Sequence, residues 1–313
     1  MKKILGMLAF LISLIFVGAC NNDDNNNGDI PYLNNDVSII TPSGTPYIAL
    51  GGLLNMNHIN IEAVNGAANL QAALVSGSHD IVVAPVNLGA NLYNKGNSKY
   101  QLAAVLTMNN AYIVTEATNN LESIADLENQ KVIAFGKTGI PGSILSKIYN
   151  ETENLNLDNV DFAQSSSTAV YSLFAGGTTD AKYALMSQPE IARLTVNDNM
   201  AIKTLDLCDV LGVDVPQACV YVNPESDVLE DVDKVLNALE SSIDNLNRNP
   251  NDYVDVLVTL DRTFEAIGSE VLKNSIPNMD IVYKTGIQYK MQIEGILTVL
   301  GVSLPNEAFY YQK

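Results

Sequence analysis

The sequence is poor in the residue types that most often carry chemistry. Its 313 residues contain no Trp, two His, three Cys, and 17 Lys and Arg against 35 Asp and Glu, which gives a net charge of −18. So few positive charges argue against a nucleic-acid-binding protein, which needs a basic surface. So few His and Cys argue against a zinc site with four nitrogen or sulfur ligands and against a His-based catalytic network. We expect an acidic, folded, non-enzymatic protein with no catalytic residue, metal or cofactor.

The first twenty residues have the pattern of an export signal. Lys2 and Lys3 precede an apolar run, residues 4–16, which is too short to span a membrane comfortably but has the length of a signal-peptide core. Small residues and Cys20 follow, and this ending resembles a bacterial lipobox, whose Cys carries a diacylglycerol after cleavage. The alternative is an ordinary secretory peptide in which Cys20 is incidental. We expect a lipoprotein, with palmitate among its acyl chains, anchored on the extracytoplasmic face of the cell membrane.

The body of the chain contains the same order of elements twice. Residues 36–41 and residues 131–135 each predict a strand that is followed by Ser or Thr, Gly, any residue and Pro, and then by a helix. In both copies a second strand, a short helix rich in small residues and a third strand come next. Such alternation predicts parallel strands with right-handed crossovers. The sequence therefore predicts an α/β protein with two lobes, each a βαβαβ-based mixed sheet flanked by helices.

The segments outside the repeat predict crossings between the lobes and C-terminal helices. Residues 101–115 have the pattern of two strands broken at 108–110, and residues 217–222 predict another strand. The spacing of apolar residues predicts helices at 47–55, 228–246, 253–260, 264–274 and 285–300. We divide the chain into a signal peptide (1–19), a lipidated Cys and flexible polar tether (20–34), lobe 1 (35–110), lobe 2 (111–218) and a return to lobe 1 with the C-terminal helices (219–313).

The repeated loops are candidates for ligand binding. In open α/β sheets, ligands bind outside the carboxyl ends of the strands, which is where these loops lie. Glycine lets the backbone approach a ligand closely, and the hydroxyl groups stand beside the free N–H groups of a helix start. Each loop taken alone is better interpreted as a well-capped helix start, whereas its recurrence in both copies favours binding. The candidates are Ser43, Gly44 and Thr45 with Lys137, Thr138 and Gly139 in the loops, Pro85, Asn87 and Gln188 after the third strands, and Asn109, Asn110 and Tyr112 at the crossing.

Taken together, the lipobox, the polar tether and the two copies resemble a solute-binding lipoprotein of a bacterial ABC importer. The likeness covers about residues 36–300 and is most specific at residues 73–93 and 100–114. The sequence resembles the type II periplasmic-binding fold, and within it the branch that binds sulfonates, taurine, nitrate and thiamine precursors. The resemblance implies a ligand cleft between the lobes, closure on a small-molecule solute, and delivery to a membrane permease with its ATPase. It implies contacts by Ser43, Gly44, Thr45, Pro85, Asn87, Asn109, Asn110, Lys137, Thr138 and Gly139.

The sequence departs from the anion-binding members of this branch, which often place more basic residues near the cleft. A neutral, heteroaromatic or weakly anionic solute fits it better, with Tyr47 and Tyr112 available for stacking. We expect a monomer and no nucleic-acid partner.

Two other functions stay open. The first is an enzyme on the same fold, of the kind found in thiamine-pyrimidine or menaquinone biosynthesis, with His58 or His79 as the acid–base group. The second is a surface adhesin or scaffold whose lobes are only architectural. A lipid-anchored exterior location favours uptake over biosynthesis, and the sequence shows no adhesive repeats or aromatic patches that would support the second function. Cys208 and Cys219 also leave two alternatives, a disulfide or a pair of buried thiols.

The lipobox interpretation makes a direct prediction. Replacing Cys20 with Ala removes the thiol that would carry the lipid, so the protein should leave the membrane fraction. Cell fractionation followed by immunoblotting measures this, and Cys208→Ala serves as the matched control that should stay with the membrane. Membrane retention of the Cys20→Ala variant would contradict lipid anchoring.

Overall fold

The computed structural model describes residues 31–313. The predicted signal peptide, Cys20 and residues 21–30 of the predicted tether lie outside the described residues. The strands, in chain order, are β1 (Val37–Pro42), β2 (Ile59–Val64), β3 (Ile81–Pro85), β4 (Gln101–Thr107), β5 (Tyr112–Glu116), β6 (Val132–Phe135), β7 (Val160–Gln164), β8 (Tyr183–Met186), β9 (Ile202–Asp206), β10 (Ala218–Val222) and β11 (Ile281–Thr285).

Helices alternate with the strands and then dominate the C-terminal part. They are α1 (Thr45–Ala49), α2 (Ala67–Ser76), α3 (Val86–Asn94), α4 (Ile140–Glu151), α5 (Ser167–Ala175), α6 (Glu190–Val196), α7 (Leu207–Leu211), α8 (Leu229–Arg248), α9 (Pro250–Leu260), α10 (Arg262–Ile267), α11 (Ser269–Ser275) and α12 (Lys290–Val299). In residues 31–313 no helix is both long enough and apolar enough to span a membrane.

The strands form two mixed sheets of closely similar topology. The sheet of lobe 1 has the order β11-β4-β10-β3-β1-β2, and the sheet of lobe 2 has the order β7-β6-β8-β5-β9. In lobe 1, β1 pairs in parallel with β2 and β3, and in lobe 2, β6 pairs in parallel with β7 and β8. Next to each parallel trio lies an antiparallel strand, β10 in lobe 1 and β5 in lobe 2. The predicted βαβαβ repeat is confirmed.

The chain crosses between the sheets twice, and the two crossings lie side by side. The first joins β4 to β5, and the second joins α7 to β10. Met108 and Pro216 form an isolated antiparallel bridge between them, and the backbone N–H of Asn109 donates to the carbonyl oxygen of Val215 over 2.9 Å. The strands of lobe 2 all fall between residues 112 and 206, while the exact lobe boundaries at 110 and 218 stay predictions.

Both faces of the lobe 1 sheet are covered by helices. Ile39 packs on one face with Ile48 of α1 and Leu236 of α8, whereas its neighbour Ile40 packs on the other face with Leu74 of α2 and Ala90 of α3. Successive strand residues point to opposite faces, so a strand that is covered on both sides must be apolar throughout. This explains why the strands of the repeat could be recognised as continuous apolar runs.

The prediction of one helix over residues 47–55 is wrong. Helix α1 ends at Ala49, and a 3₁₀ segment, Gly51–Asn55, follows it. Gly51 and Gly52 are poor helix formers, and they pack directly against α8 and α9. A Cβ atom on Gly51 would lie 2.2 Å from Leu257 Cδ1, and one on Gly52 would lie 1.8 Å from Ser242 Oγ. Close packing of the backbone, rather than helical propensity, determines this segment.

Two C-terminal helices also differ from prediction. Residues 264–274 belong to two helices, α10 and α11, because Gly268 between them has φ of 95°. The predicted start of the last helix at 285 is wrong, since Thr285 is the last residue of the edge strand β11 and α12 begins at Lys290. The short strands β9 and β11 were not predicted.

The two remaining cysteines are buried free thiols, Cys208 in α7 and Cys219 in β10. Burial raises the pKa of both thiols well above its usual value, so neither side chain carries a reactive thiolate. Of the two alternatives, the structure supports buried thiols and no disulfide.

The packing of α3 on the sheet predicts the effect of one substitution. A Cβ atom on Gly89 would lie 2.2 Å from the ring of Tyr221, which is fully buried. Gly89→Ala should therefore lower the free energy of unfolding, by about 1–3 kcal/mol, in urea titrations of the protein.

The matched control is Gly295→Ala in the exposed part of α12, where an added Cβ meets nothing within 4 Å. It should raise the free energy of unfolding by up to about 1 kcal/mol, because Ala is the better helix former. Equal effects of the two substitutions would contradict the close contact between α3 and Tyr221.

Candidate functional site

The candidate residues lie where the carboxyl ends of the parallel strands of both lobes face the crossings. In lobe 1 they follow β1 and β3, and in lobe 2 they follow β6 and β8. Asn109, Asn110 and Tyr112 lie at the first crossing, between the two sheets. The structure thus brings residues from distant parts of the sequence to one region between the lobes.

Three of the candidates contact one another directly. The side-chain N–H of Asn110 donates to Thr45 Oγ1 over 3.1 Å. The Thr45 hydroxyl in turn donates to the carbonyl oxygen of Gln188 over 3.1 Å. The backbone N–H of Gln188 completes the ring by donating to Asn110 Oδ1 over 2.7 Å. Their exposed fractions are 7%, 5% and 9% for Thr45, Asn110 and Gln188. We call these three residues the interlobe clamp, because they join lobe 1, the crossing and lobe 2.

The local backbone explains why these residues are free to form the clamp. Asn109 and Asn110 have φ of 46° and 60°, a left-handed conformation that Asn adopts more readily than most residues. Gly44, with φ of 87°, precedes α1, and the hydroxyl of Thr45 at the start of that helix donates to lobe 2. The side chain of Gln188 accepts from the N–H of Ala192 in α6, so it is the backbone of Gln188 that joins the clamp.

Asn109 has a different role from its neighbour. Its side-chain oxygen accepts from the N–H of Val215 over 3.1 Å, and its side-chain nitrogen donates to Asp280 Oδ2 over 2.8 Å. It therefore connects the two crossings to the segment that leads into β11. These bonds occupy the groups of Asn109 that were predicted to contact a ligand.

The aromatic candidates are engaged within the lobes. The hydroxyl of Tyr47 donates to Asp261 over 2.9 Å, and its ring stacks on Phe264 with centroids 4.9 Å apart. Burial and Asp261 raise the pKa of Tyr47 to about 12. Tyr112 is half-buried opposite Asp206 in the neighbouring strand β9, and burial and the Asp206 carboxylate raise the pKa of its hydroxyl. The prediction that Tyr47 is available to stack on a ligand is wrong.

The two repeated loops are not equivalent in structure. In lobe 1 the hydroxyl and N–H of Ser43 both donate to the carbonyl of Val64, at 3.3 and 2.9 Å. In lobe 2, Lys137 and Thr138 are exposed, and the ammonium group of Lys137 lies 5.8 Å from the centroid of the Phe162 ring. The loop of lobe 1 is thus fixed against its own lobe, whereas the loop of lobe 2 presents free polar groups.

The loops also use their glycines differently. Gly139 has an extended backbone, and the left-handed residue of the lobe 2 loop is Gly136, with φ of 58°. A Cβ atom on Gly142 would lie 2.3 Å from the carbonyl oxygen of Gly136, so the loop folds tightly over the first turn of α4. In lobe 1 the left-handed glycine is Gly44 itself.

A buried acidic group near the clamp was not predicted. Glu190 starts α6, two residues after Gln188, and accepts a hydrogen bond from the Thr168 hydroxyl over 2.7 Å. Burial raises the pKa of its carboxyl, although the bond from Thr168 and the nearby charge of Arg193 oppose the shift. The sequence signal would have been a Glu at the first turn of a helix after the third strand of the repeat.

The two histidines lie away from the clamp. His58 and His79 precede β2 and β3, at the amino ends of the parallel strands, whereas the candidate site lies at their carboxyl ends. His58 bonds to Asp36 over 2.7 Å, and His79 contacts Ser78 over 2.9 Å and lies 3.6 Å from Glu62. Within residues 31–313, no group of three His, Cys, Asp or Glu side chains is arranged to hold a metal ion.

Neither of two surface cavities in lobe 1 is lined by the clamp or by the other candidates, except for Tyr47, which lines one of them. One, of about 310 Å³, lies between β11, α8 and the C-terminal residues 311–313. The other, of about 420 Å³, lies near β1 and β2 and includes Tyr47 and His79. The candidate site between the lobes is thus defined by converging side chains and not by either of these cavities.

Two α/β lobes with these strand orders, two adjacent crossings and a candidate site between the lobes define the periplasmic-binding-protein fold. The family model described as NMT1/THI5 like matches residues 55–253, well over half of the sequence. The chain therefore belongs to the NMT1/THI5-like family. No curated protein matches it at a significant level.

Solved structures with the same fold cover most of the chain. An ABC transporter protein from Parabacteroides distasonis is 21% identical, with a TM-score of 0.71, over 89% of this chain and 99% of its own. The ligand-binding component of an ABC-type import system from Staphylococcus aureus is 13% identical, with a TM-score of 0.66, over 89% and 96%. The alkanesulfonate-binding protein of Xanthomonas axonopodis pv. citri, solved with MOPS, is 15% identical, with a TM-score of 0.63, over 88% and 96%. The predicted two-lobed fold is confirmed.

The clamp makes a prediction about the relative positions of the lobes. Asn110→Gly keeps a residue that accepts positive φ but removes the amide that joins the lobes. Small-angle scattering should show a larger radius of gyration, and urea titration should show a loss of about 1–3 kcal/mol, because several buried hydrogen bonds disappear.

The control is Asn199→Gly, which makes the same exchange at an exposed left-handed residue between α6 and β9. It should change the free energy of unfolding by no more than about 0.5 kcal/mol and leave the scattering curve unaltered. An Asn110→Gly variant as compact as the wild type would show that the clamp does not hold the lobes together.

Proposed function

We propose that this chain is an extracytoplasmic solute-binding protein that captures a small molecule between its lobes and delivers it to an ABC permease and its ATPase. The observation that carries the proposal is the interlobe clamp. Groups of Thr45, Asn110 and Gln188 from both lobes and from the crossing meet in one buried network at the point where the loops of the two lobes converge. The names of the structural neighbours, an import-system binding component and an alkanesulfonate-binding protein, support the same function.

The geometry suggests how capture would proceed. The lobes are joined by two short adjacent crossings, which is the arrangement that permits hinge closure. A solute that contacts both lobes has higher affinity for the closed form, so it shifts the equilibrium toward closure. The exposed hydroxyl of Thr138 and the glycine-flanked start of α1 would contact the solute from opposite lobes. The remaining predicted contacts, Pro85, Asn87 and Lys137, belong to the same proposal.

The location and the absence of catalysis are part of the proposal. Attachment to the membrane would depend on lipidated Cys20 after removal of residues 1–19, so that the binding protein stays close to its permease. The two histidines that an enzyme on this fold could use as acid–base groups lie at the opposite ends of the strands. The buried carboxyl of Glu190 beside the clamp is bonded to Thr168 within lobe 2. Binding and release, without chemistry, therefore account best for the residues at the site.

A ligand screen tests the function. Thermal unfolding of the protein should be followed with sulfonates, taurine, nitrate, thiamine and its pyrimidine precursor, riboflavin, nucleobases and amino acids. A solute at about 100 times its dissociation constant adds roughly 2.7 kcal/mol, or about 5–10 °C in Tm for a protein approaching this size. Native mass spectrometry of protein purified without denaturation should run in parallel, because it also detects a solute retained from the cell.

Thr138→Leu should abolish the shift in Tm without altering the ligand-free Tm, since the residue is exposed. Thr118→Leu, at an exposed turn of the same lobe, should retain the shift. If no compound shifts the Tm and the native mass spectrum shows only the mass of the protein itself, the function as a solute-binding protein is refuted.

A further inference from the structure

Two half-buried amide side chains near the candidate site each have one buried atom with no hydrogen-bond partner among the described residues. They are Asn87 Oδ1, in the first turn of α3, and Gln217 Nε2, immediately before β10. A buried polar atom without a partner is destabilising and is uncommon in folded proteins. A ligand group or an ordered water would supply the missing partner of each atom. Gln217 was not among the residues predicted from the sequence.

The two side chains belong to neighbouring parts of lobe 1. The backbone N–H of Val86 donates to the carbonyl oxygen of Gln217 over 2.9 Å, and Pro85 pairs with Ala218 in the antiparallel register of β3 and β10. Asn87 follows Val86 directly. The backbone on which Gln217 lies thus adjoins the first turn of α3.

The alternation of β10 places Gln217 on the α3 side of the sheet. Cys219 and Tyr221 face that side, where the Tyr221 hydroxyl donates to the carbonyl of Val86 over 3.4 Å and its ring packs against Gly89. Since side chains two residues apart share a face, Gln217 also points toward α3. The two amides therefore lie on one face, at the end of the sheet that meets lobe 2.

Gln217 also lies beside the crossings. Its N–H donates to the carbonyl oxygen of Thr107, and its neighbour Pro216 bridges Met108. A ligand held between the lobes would rest on this part of lobe 1. The unpaired amides thus adjoin the region to which the interlobe clamp already points.

We propose that Asn87 and Gln217 together bind a neutral ligand group that presents an N–H donor next to a carbonyl or ring-nitrogen acceptor, such as an amide or the edge of a nitrogen heterocycle. This rests on the proposed function as a solute-binding protein. Asn87 Oδ1 needs a donor and Gln217 Nε2 needs an acceptor, and one such group supplies both.

An anionic ligand group fits these residues poorly. A sulfonate or carboxylate offers only acceptors, so with the Asn87 amide oriented as in the structure it would leave Oδ1 unpaired and face it with negative charge. Lys137, the cationic residue among the candidates, is exposed in lobe 2 beside Phe162, and the buried acid Glu190 lies next to the clamp. The amide pair therefore selects neutral solutes over anions.

The test compares neutral and charged probes on the full protein by thermal unfolding. Uracil, cytosine and nicotinamide carry the required donor and acceptor, whereas ethanesulfonate and nitrate carry acceptors only. At least one neutral probe should raise the Tm of the wild type, and the charged probes should not. Gln217→Met and Asn87→Leu should weaken binding of that probe at least tenfold, while Gln71→Leu, an exposed glutamine on α2, should leave it unchanged.

Gln217→Met removes an unpaired buried group, so its ligand-free Tm should be no lower than that of the wild type. If this variant fails to fold, Gln217→Glu keeps the shape and replaces the amide donor by a carboxylate, and it should also lose binding. A Tm shift from ethanesulfonate or nitrate, or binding that survives in the Gln217 variants, would overturn the proposal. The absence of a Tm shift with all three neutral probes would overturn the proposed ligand class. A solute detected in the native mass spectrum of the same protein would in that case still support solute binding.

Discussion

Besides the packing of α11 of lobe 1 against α6 of lobe 2, the two lobes are held together through one amide side chain, that of Asn110. It lies in the first crossing, donates to the hydroxyl of Thr45 in lobe 1 and accepts from the backbone N–H of Gln188 in lobe 2. Because the network is nearly inaccessible to solvent, opening the lobes must exchange these bonds for bonds to water. A ligand that adds contacts only in the closed arrangement increases the stability of that arrangement. Closure and binding are then two effects of one equilibrium.

The duplicated architecture does not give the two lobes the same role. In lobe 1, the hydroxyls of Ser43 and Thr45 are both used in hydrogen bonds within the protein, so this loop serves mainly to position structure. In lobe 2, Thr138 is exposed, and the conformational freedom lies at Gly136. A repeated sequence motif thus fixes the same strand-to-helix turn twice, while tertiary contacts decide which side chains remain available for a solute.

Most of the fold could be predicted because the strands of the repeat are buried on both faces and are therefore continuously apolar. The half-buried edge strand β11 and the short strand β9 lack that pattern, and the break at Gly51 depends on contact with Leu257 of a distant helix. The candidate loops could be located from their position after the strands. The clamp could not, because Thr45 and Gln188 are 143 residues apart and their contact is a property of the folded arrangement. The same holds for Gln217, which the sequence presents only as the start of a strand.

The strand order of lobe 1 has a consequence for the order in which the protein can fold. β10 lies between β3 and β4, so these two strands, close in sequence, have no direct pairing with each other. As the chain emerges with its N-terminus first, β3 and β4 each have an unpaired edge until β10 has emerged at residue 222. By then every strand of lobe 2 has already emerged. Lobe 2 is contiguous and can form first, and lobe 1 is completed around a strand that arrives late. Unpaired edges favour aggregation, so this interval is the most vulnerable stage in the maturation of the protein.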